Sequence, residues 1–413
     1  SNSQTLPTSF ITGEELIIEL QVEKGLFDYG TLQIGSLGHA YIDLFGRKET
    51  NAGLSGACNV DINCPEGKDW QLIKKAVCRY SFKMGSSTEL CTGTLINNTS
   101  VDTVPYILTA NHCIRTALQA KSAVFYFDYE ADTCGKKYIS GSYSISGATL
   151  VATSDSLDFT LLRLNDSIPG KFKPYYAGWS LSQTPASSAV CIHHPQGDIK
   201  KISFDNSPVT AEYQNPIPTS LAWLYTESHP QTFWRVTAWD IGTTEGGSSG
   251  SPLFNQNKLI VGNLTGGEAS CANSVNDYFS KFYKSWDFYN LYSKQLKHWL
   301  DPGSTGINNL QGFNPFGPTD TSLVDTIIFA KRFSVFPNPA SDNVTFETDS
   351  QDITGGFLSI YNLTGKKMAN YPITDSHRLT FDVSFLDQGI YIIEFSKGNI
   401  NERKRLLVLN PRK

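Results

Sequence analysis

Three stretches of the chain carry residue types that do chemistry together. They are His112 in Leu108-Thr109-Ala110-Asn111-His112-Cys113, Asp158 in Ser156-Leu157-Asp158-Phe159-Thr160-Leu161-Leu162, and Ser249 in Gly246-Gly247-Ser248-Ser249-Gly250-Ser251-Pro252. A serine between glycines on a tight turn exposes its hydroxyl, and the adjoining backbone N–H groups can converge on one point beside it. Acyl transfer needs that pairing of a nucleophile with donors aimed at a developing oxyanion. An imidazole takes the hydroxyl proton during attack, and a buried carboxylate fixes its tautomer and stabilises the imidazolium. Singly, each stretch has an ordinary reading: a Gly-Ser run is a turn, a histidine after an apolar strand is a core residue, and an aspartate opening a strand is a turn residue. The order His, Asp, Ser joins them, with a cysteine after the histidine and Gly-x-Ser-Gly-x-Pro around the serine.

The elements that must position these residues read as strands. From Gly53 to Gln311 the apolar runs are short, β-branched and aromatic, as in Tyr106-Ile107-Leu108, Ala123–Phe127 and Phe159–Leu162, with turn residues between them. That texture predicts an all-β barrel or sandwich. Lys281–Leu300 has helix-like spacing through Trp286, Tyr289, Leu296 and Trp299, and is expected to close the domain as a helix before Asp301-Pro302-Gly303. Residues 1–52 alternate in places, at Glu15–Leu20 and His39–Phe45, and read as short strands, either the edge of a larger domain or the remnant of a removable pro-segment, with Lys48–Ala52 as an exposed, cleavable connection. Residues 312–331 have little periodicity and read as a linker. Residues 332–413 return to short strands and predict a small β-sandwich.

Composition narrows the partners. Apolar residues make up 40% of the 413, enough for a sizeable core, and 34 basic against 39 acidic side chains leave a net charge of −5, with no basic face for nucleic acid. No apolar run is long enough for a membrane helix. The chain opens Ser1-Asn2-Ser3-Gln4, without Met or an apolar leader, and reads as a processed or trimmed form. All eight cysteines (Cys58, Cys64, Cys78, Cys91, Cys113, Cys134, Cys191 and Cys271) fall before the last third, an even set that favours disulfides and an oxidising compartment. Nothing in the cysteine or histidine spacing asks for a metal, and the chemistry above asks for no cofactor.

Residues 53–311 resemble a chymotrypsin-fold serine protease, and most closely the bacterial lysyl endopeptidases. The likeness is carried by Gly53–Asp61, Cys64-Pro65-Glu66-Gly67, Cys91–Leu95, Leu108–Cys113, Asp158–Leu162, Ile192–Pro195, Gly246–Pro252 and Trp299–Pro302. It implies two packed β-barrels with the site in the cleft, His112 as general base, Asp158 as its orienter, Ser249 as nucleophile, and the N–H groups of Gly247 and Ser249 as the oxyanion hole. It implies a basic-side-chain pocket with Asp277 at its floor, nine positions ahead of Trp286, and a substrate-lining edge at Leu264, Thr265 and Gly266. Read alone, Asp277 has the alternative of an exposed loop charge pairing with Lys281, and Glu245, close before the serine, is the less favoured second acid. The loop from Cys271 to Asp277 is shorter than the family's, and Thr265 stands where a histidine is expected, so the preference extends from lysine to arginine. The resemblance further implies the bridges Cys58–Cys271, Cys64–Cys134 and Cys91–Cys113, leaving Cys78 and Cys191 as a fourth pair. His193-His194-Pro195 reads as structural despite looking like a metal pair.

Phe333–Ala340, Ile360–Gly365 and Leu386–Tyr391, ending in Arg403-Lys404-Arg405, resemble the C-terminal sorting domain of the type IX secretion system of Bacteroidota. The expected protein is therefore a secreted or cell-surface, monomeric endopeptidase acting on proteins or peptides after lysine or arginine, with the secretion machinery as partner of residues 332–413. A glutamyl or broad-specificity peptidase of the same fold, and a catalytically silent adhesin, are the rival readings; an accessory β-sandwich is the rival for the tail.

Overall fold

The computed structural model describes residues 6–9, 11, 15–19, 33–38, 55–135, 143–207, 232–316, 334–347, 354–362, 366–374, 378–397 and 400–409. The chain divides into two compact units, Ser1–Gly317 and Pro318–Lys413.

The first unit is built on two curled antiparallel sheets. One has seven strands in the spatial order Tyr143–Ser146, Val124–Phe127, Val77–Met84, Ser87–Ile96, Tyr106–Thr109, Phe159–Leu164 and Ala148–Ser154. Its long hairpin turns at Gly85-Ser86 between the paired Met84 and Ser87, and Gly85 takes φ +62°, the positive φ that two-residue hairpin loops demand. Tyr80, Leu95, Ile107, Phe125 and Leu161 are fully buried, with Tyr80 and Phe125 ring centroids 5.2 Å apart. The other sheet runs Val60–Asp61, Lys201–Asp205, Ala189–His193, Pro252–Asn255, Ile260–Gly267, Val275–Lys281 and Phe233–Ala238, with Trp179–Ser180 and Asn309–Leu310 added at its side. Trp234, Val236, Leu253, Leu264 and Phe279 fill its interior.

Two sequence expectations are corrected here. Lys281–Leu300 is not one helix: Phe282–Asp287 and Lys297–Leu300 are helical, with a 3-10 turn at Tyr292–Lys294 between them. The aromatic residues that supply the helical spacing are poor helix formers. Tertiary bonds win instead: Leu296 N–H donates to Ser285 O at 3.0 Å, and the Tyr289 and Ser156 hydroxyls meet at 2.5 Å. Residues 15–19 form no strand, and Leu16, Ile17 and Ile18 lie exposed. The second expected strand, His39–Phe45, and the connection Lys48–Ala52 fall outside the described residues, as does most of the linker.

The second unit is a sandwich. Three strands (Ser334–Phe336, Asn343–Glu347, Arg378–Asp382) face four (Lys367–Pro372, Phe357–Asn362, Gly389–Lys397, Ile400–Val408). Val344, Phe346 and Phe381 from one sheet pack with Leu358, Ile360, Ile393, Phe395 and Leu406 from the other. No described helix of the chain is long and apolar enough to cross a membrane.

Candidate active site

His112 follows the strand Tyr106–Thr109, and Asp158 sits on the turn into its neighbour Phe159–Leu164, so the sheet delivers both to one edge. Asp158 has φ +46°, a left-handed backbone that aspartate tolerates better than most residues. Its carboxylate is 1% exposed and is filled from one direction: Oδ1 accepts the His112 backbone N–H at 2.9 Å, and His112 Nδ1 lies 2.9 Å from Oδ2 and 3.1 Å from Oδ1. A carboxylate only accepts, so Nδ1 carries the hydrogen and Nε2 is the basic nitrogen. The Asp158 carbonyl in turn accepts Asn263 Nδ2–H at 2.9 Å, tying this edge to the second sheet.

Ser249 lies in the loop entering the strand Pro252–Asn255. Its carbonyl accepts Thr92 N–H at 2.9 Å, one residue from the Cys91–Cys113 bridge, which ends beside His112. Gly250, at φ +82°, nestles against the approach to His112: a Cβ there would stand 2.2 Å from Thr109 Oγ1 and 2.9 Å from Ala110 N. Only glycine fits.

The loop's amides alternate. Ser248 N–H donates to Glu245 O and Gly250 N–H to Leu264 O, whereas among the described residues the N–H groups of Gly247 and Ser249 have no acceptor. In a trans peptide the C=O and N–H point opposite ways, so a captured carbonyl aims the next amide. Gly246 O is captured by Gln196 N–H at 2.5 Å, and Ser248 O by Ser251 N–H at 3.0 Å. Thr92 Oγ1 holds Gly247 O at 3.0 Å. The two amides that sequence reasoning expects in an oxyanion hole are thus the two with unspent hydrogens.

Asp277 occupies the strand Val275–Lys281 and is 1% exposed; it is not an exposed loop charge. Its Oδ2 accepts Trp239 Nε1–H and Thr244 Oγ1–H, both at 2.6 Å, while Oδ1 has no hydrogen-bond partner among the described residues. Burial pushes this carboxyl up to about 6 against the pull of Thr244, Trp239 and the Ala269 backbone. Gly267 pairs with Asp277 across the ladder, and a Cβ there would fall 2.3 Å from Oδ1, so only glycine leaves room beside that buried oxygen. Leu264, Thr265 and Gly266 lie on the partner strand, where the register shifts between Leu264 and Gly266 and bulges Thr265 out of the ladder. Glu245 is committed elsewhere, accepting Gly56 N–H at 3.1 and 3.2 Å.

Three bridges are formed: Cys58–Cys271, Cys64–Cys134 and Cys91–Cys113. The fourth expected bridge is not. Cys78 and Cys191 are buried free thiols on different sheets, with Cys78 Sγ turned to Gly93 O at 3.5 Å and Cys191 Sγ to Ser251 Oγ at 3.2 Å. Burial raises both thiols, Cys78 to about 12, so neither is a nucleophile. His193 and His194 are buried in hydrogen bonds to serines and backbone, not to a metal, and the described residues hold no cluster of metal-ligating side chains. Trp239, Thr244, Gly267 and Asn263 also shape the site, and no local sequence signal marks any of them; Asn263 is 1% exposed and spends its amide on the Asp158 carbonyl.

The first unit thus presents two curled, largely antiparallel sheets with this loop on the second. The chain belongs to the family described as lysyl endopeptidase, C-terminal domain, whose model matches residues 52–280; residues 334–409 match the secretion system C-terminal sorting domain. A lysyl endopeptidase of Pseudomonas aeruginosa is 29% identical over 270 residues, covering 60% of this chain and 53% of that protein. The secreted RxLR effector protein 73 of Plasmopara viticola is 28% identical over 214 residues, 49% of this chain and 47% of that one. The chain thus spans about half the length of the curated relatives it matches. Among solved structures, the protease Anisep from Arthrobacter nicotinovorans is 17% identical with a TM-score of 0.34, over 50% of this chain and 90% of its own. The sorting domain makes this an exported protein, secreted or held at the cell surface, by the type IX route of Bacteroidota.

Proposed function

We propose that the chain is a serine endopeptidase that cleaves on the carboxyl side of lysine, and less readily of arginine, through a covalent acyl-enzyme. Ser249 Oγ attacks the scissile carbonyl while His112 Nε2 takes its proton, later giving it to the leaving amine. Asp158 holds the ring and offsets the imidazolium charge. The amides of Gly247 and Ser249 receive the oxyanion. Water then repeats the sequence on the ester and frees the acid.

The observation that carries this reading is the joint state of the two ends of the site. His112 Nδ1 is locked on a buried carboxylate, and beside Ser249 the amides of Gly247 and Ser249 keep unspent hydrogens. Side-chain preference follows from Asp277. An alkylammonium entering a protein pocket loses its water, and a carboxylate with one oxygen lacking a hydrogen bond replaces it. Leu264–Gly266 lines the route of the substrate backbone, and Thr265, in place of a bulkier histidine, leaves room for arginine. Residues 53–311 form the catalytic domain and act as a monomer on protein substrates; 1–52 is the remnant of a pro-segment, and 332–413 engages the secretion machinery through the 312–331 linker.

Mass-spectrometric mapping of the cuts made in a denatured protein mixture tests activity and preference together. Cuts after lysine, with a minority after arginine and none from Ser249→Ala, are expected. Cuts scattered over apolar or acidic residues, or undiminished in the variant, reject the reading.

A further inference from the structure

The residue just before the candidate nucleophile is buried, and its hydroxyl is committed. Ser248 Oγ lies 2.7 Å from His193 Nδ1 and receives Glu245 N–H at 3.2 Å. His193, fully buried at the end of the strand Ala189–His193, turns its other nitrogen, Nε2, to Ser203 Oγ at 3.1 Å. The proton positions follow from the far end of this chain. Ser203 Oγ gives its hydrogen to Thr243 O at 2.7 Å, so it accepts from His193 Nε2–H. Nδ1 is therefore a lone pair, and Ser248 donates to it. Burial, and after it Lys201, pushes this imidazole down to about 3, so the polarity of the chain is fixed at any ordinary pH.

The residues that follow His193 wrap the same loop. Gln196 N–H holds Gly246 O, and His194 N–H donates at 3.1 Å to Thr92 Oγ1, which holds Gly247 O. A Cβ on Gly247 would stand 2.8 Å from Gly197 N. One short segment, 193–197, thus backs the whole turn from Gly246 to Ser248.

We propose that His193 is a positioning residue for the oxyanion hole, acting through the side chain of Ser248. The proposal rests on the endopeptidase reading above. His193 touches no reacting atom. Its bond pins the Ser248 side chain while Ser251 N–H pins the Ser248 carbonyl, and together they fix the plane of the Ser248–Ser249 peptide whose N–H faces the oxyanion. Freed at one end, that plane rocks. Charge that develops only in the transition state then loses part of its stabilisation, while the ground-state hold on the substrate side chain at Asp277 is untouched.

The test uses the full chain, a lysyl peptide substrate and two inhibitors. A peptidyl lysine aldehyde forms a tetrahedral adduct with Ser249, whereas a simple alkylamine fills only the basic pocket. Losing one whole oxyanion donor costs about 10²–10³ in kcat, so loosening one through Ser248→Ala is expected to cost about 10–100-fold, with KM changed by less than about 3-fold. Affinity for the aldehyde falls by the same factor, and affinity for the alkylamine stays. Ser248→Thr, which keeps the hydroxyl, recovers most of the rate. His193→Leu reproduces the loss, and the double variant is no worse than the poorer single one; should His193→Leu fail to fold, the Ser248 pair decides. A Ser248→Ala enzyme with kcat within about twofold of wild type overturns the proposal. So does a loss shared equally by both inhibitors, the mark of a merely structural role. A wild-type chain without Ser249-dependent hydrolysis brings down the endopeptidase reading as well; Ser249-dependent hydrolysis beside a full-speed Ser248→Ala brings down only this one.

Discussion

Asp158 and Asp277 are both carboxylates at 1% exposure, and they are finished to different degrees. Around Asp158 the chain supplies everything: the His112 ring and backbone N–H reach the carboxylate, and Asn263 holds the carbonyl. Around Asp277 it supplies half, two donors on Oδ2 and none on Oδ1. Burying an ion without full compensation costs stability, and a fold keeps such a deficit where an outside partner removes it. On the proposed function, the contrast separates a charge whose work is done within the protein from one whose partner would be the substrate side chain.

The comparison breaks most sharply at Asp158. Asp158→Asn places an amide against His112 Nδ1, favours the wrong tautomer, and is expected to lower kcat by about 10⁴ with little change in KM. Kinetics on a lysyl amide substrate check it; a loss confined to KM contradicts the assigned role.

Asp277→Asn is the smaller and more selective lesion. We expect kcat/KM for lysyl substrates to fall by about 10²–10³, against less than about threefold for a substrate with an apolar side chain in that pocket. The same change should make the free protein more stable above pH 6. A carboxyl that burial raises to about 6 costs about 3 kcal/mol when it ionises in the free protein, and asparagine carries no charge to bury. Thermal unfolding at pH 8 reads this directly, and an Asn variant that melts earlier than wild type argues against an uncompensated Asp277.

The pH dependence is subtler. The folded pKa of Asp277 lies above the usual carboxylate value, so its contribution to stability is most favourable below about 4 and is lost as pH rises through about 6. Lysine recognition has the opposite sign, because only the ionised form pairs with an ammonium. The ratio of lysyl to apolar-substrate kcat/KM, in which any ionisation common to both substrates cancels, should therefore climb through about pH 6. A flat ratio removes Asp277 from specificity.

How much of this was legible in the sequence depends on how local each contact is. Ser249 and its glycines, and the strand-bounded His112 and Asp158, declare themselves because their chemistry is written in adjacent residues. Trp239 and Thr244 do not, since each is defined by reaching Asp277 more than thirty positions away. Gly267 gives no sign either, its function being a missing Cβ beside an oxygen on another strand. The expected helix over Lys281–Leu300 fails because aromatic spacing records burial against tertiary neighbours as readily as helical period. The fourth bridge fails for a related reason: two small buried thiols on separate sheets each find a partner at home.

Covalent capture of the nucleophile tests the central claim most directly. A phosphonate diester built on a lysine analogue should phosphonylate the protein once, and peptide mapping should find the mass on Ser249, with no labelling of His112→Ala or of protein unfolded beforehand. Labelling on another residue, or undiminished peptide hydrolysis once Ser249 is fully modified, would contradict the account.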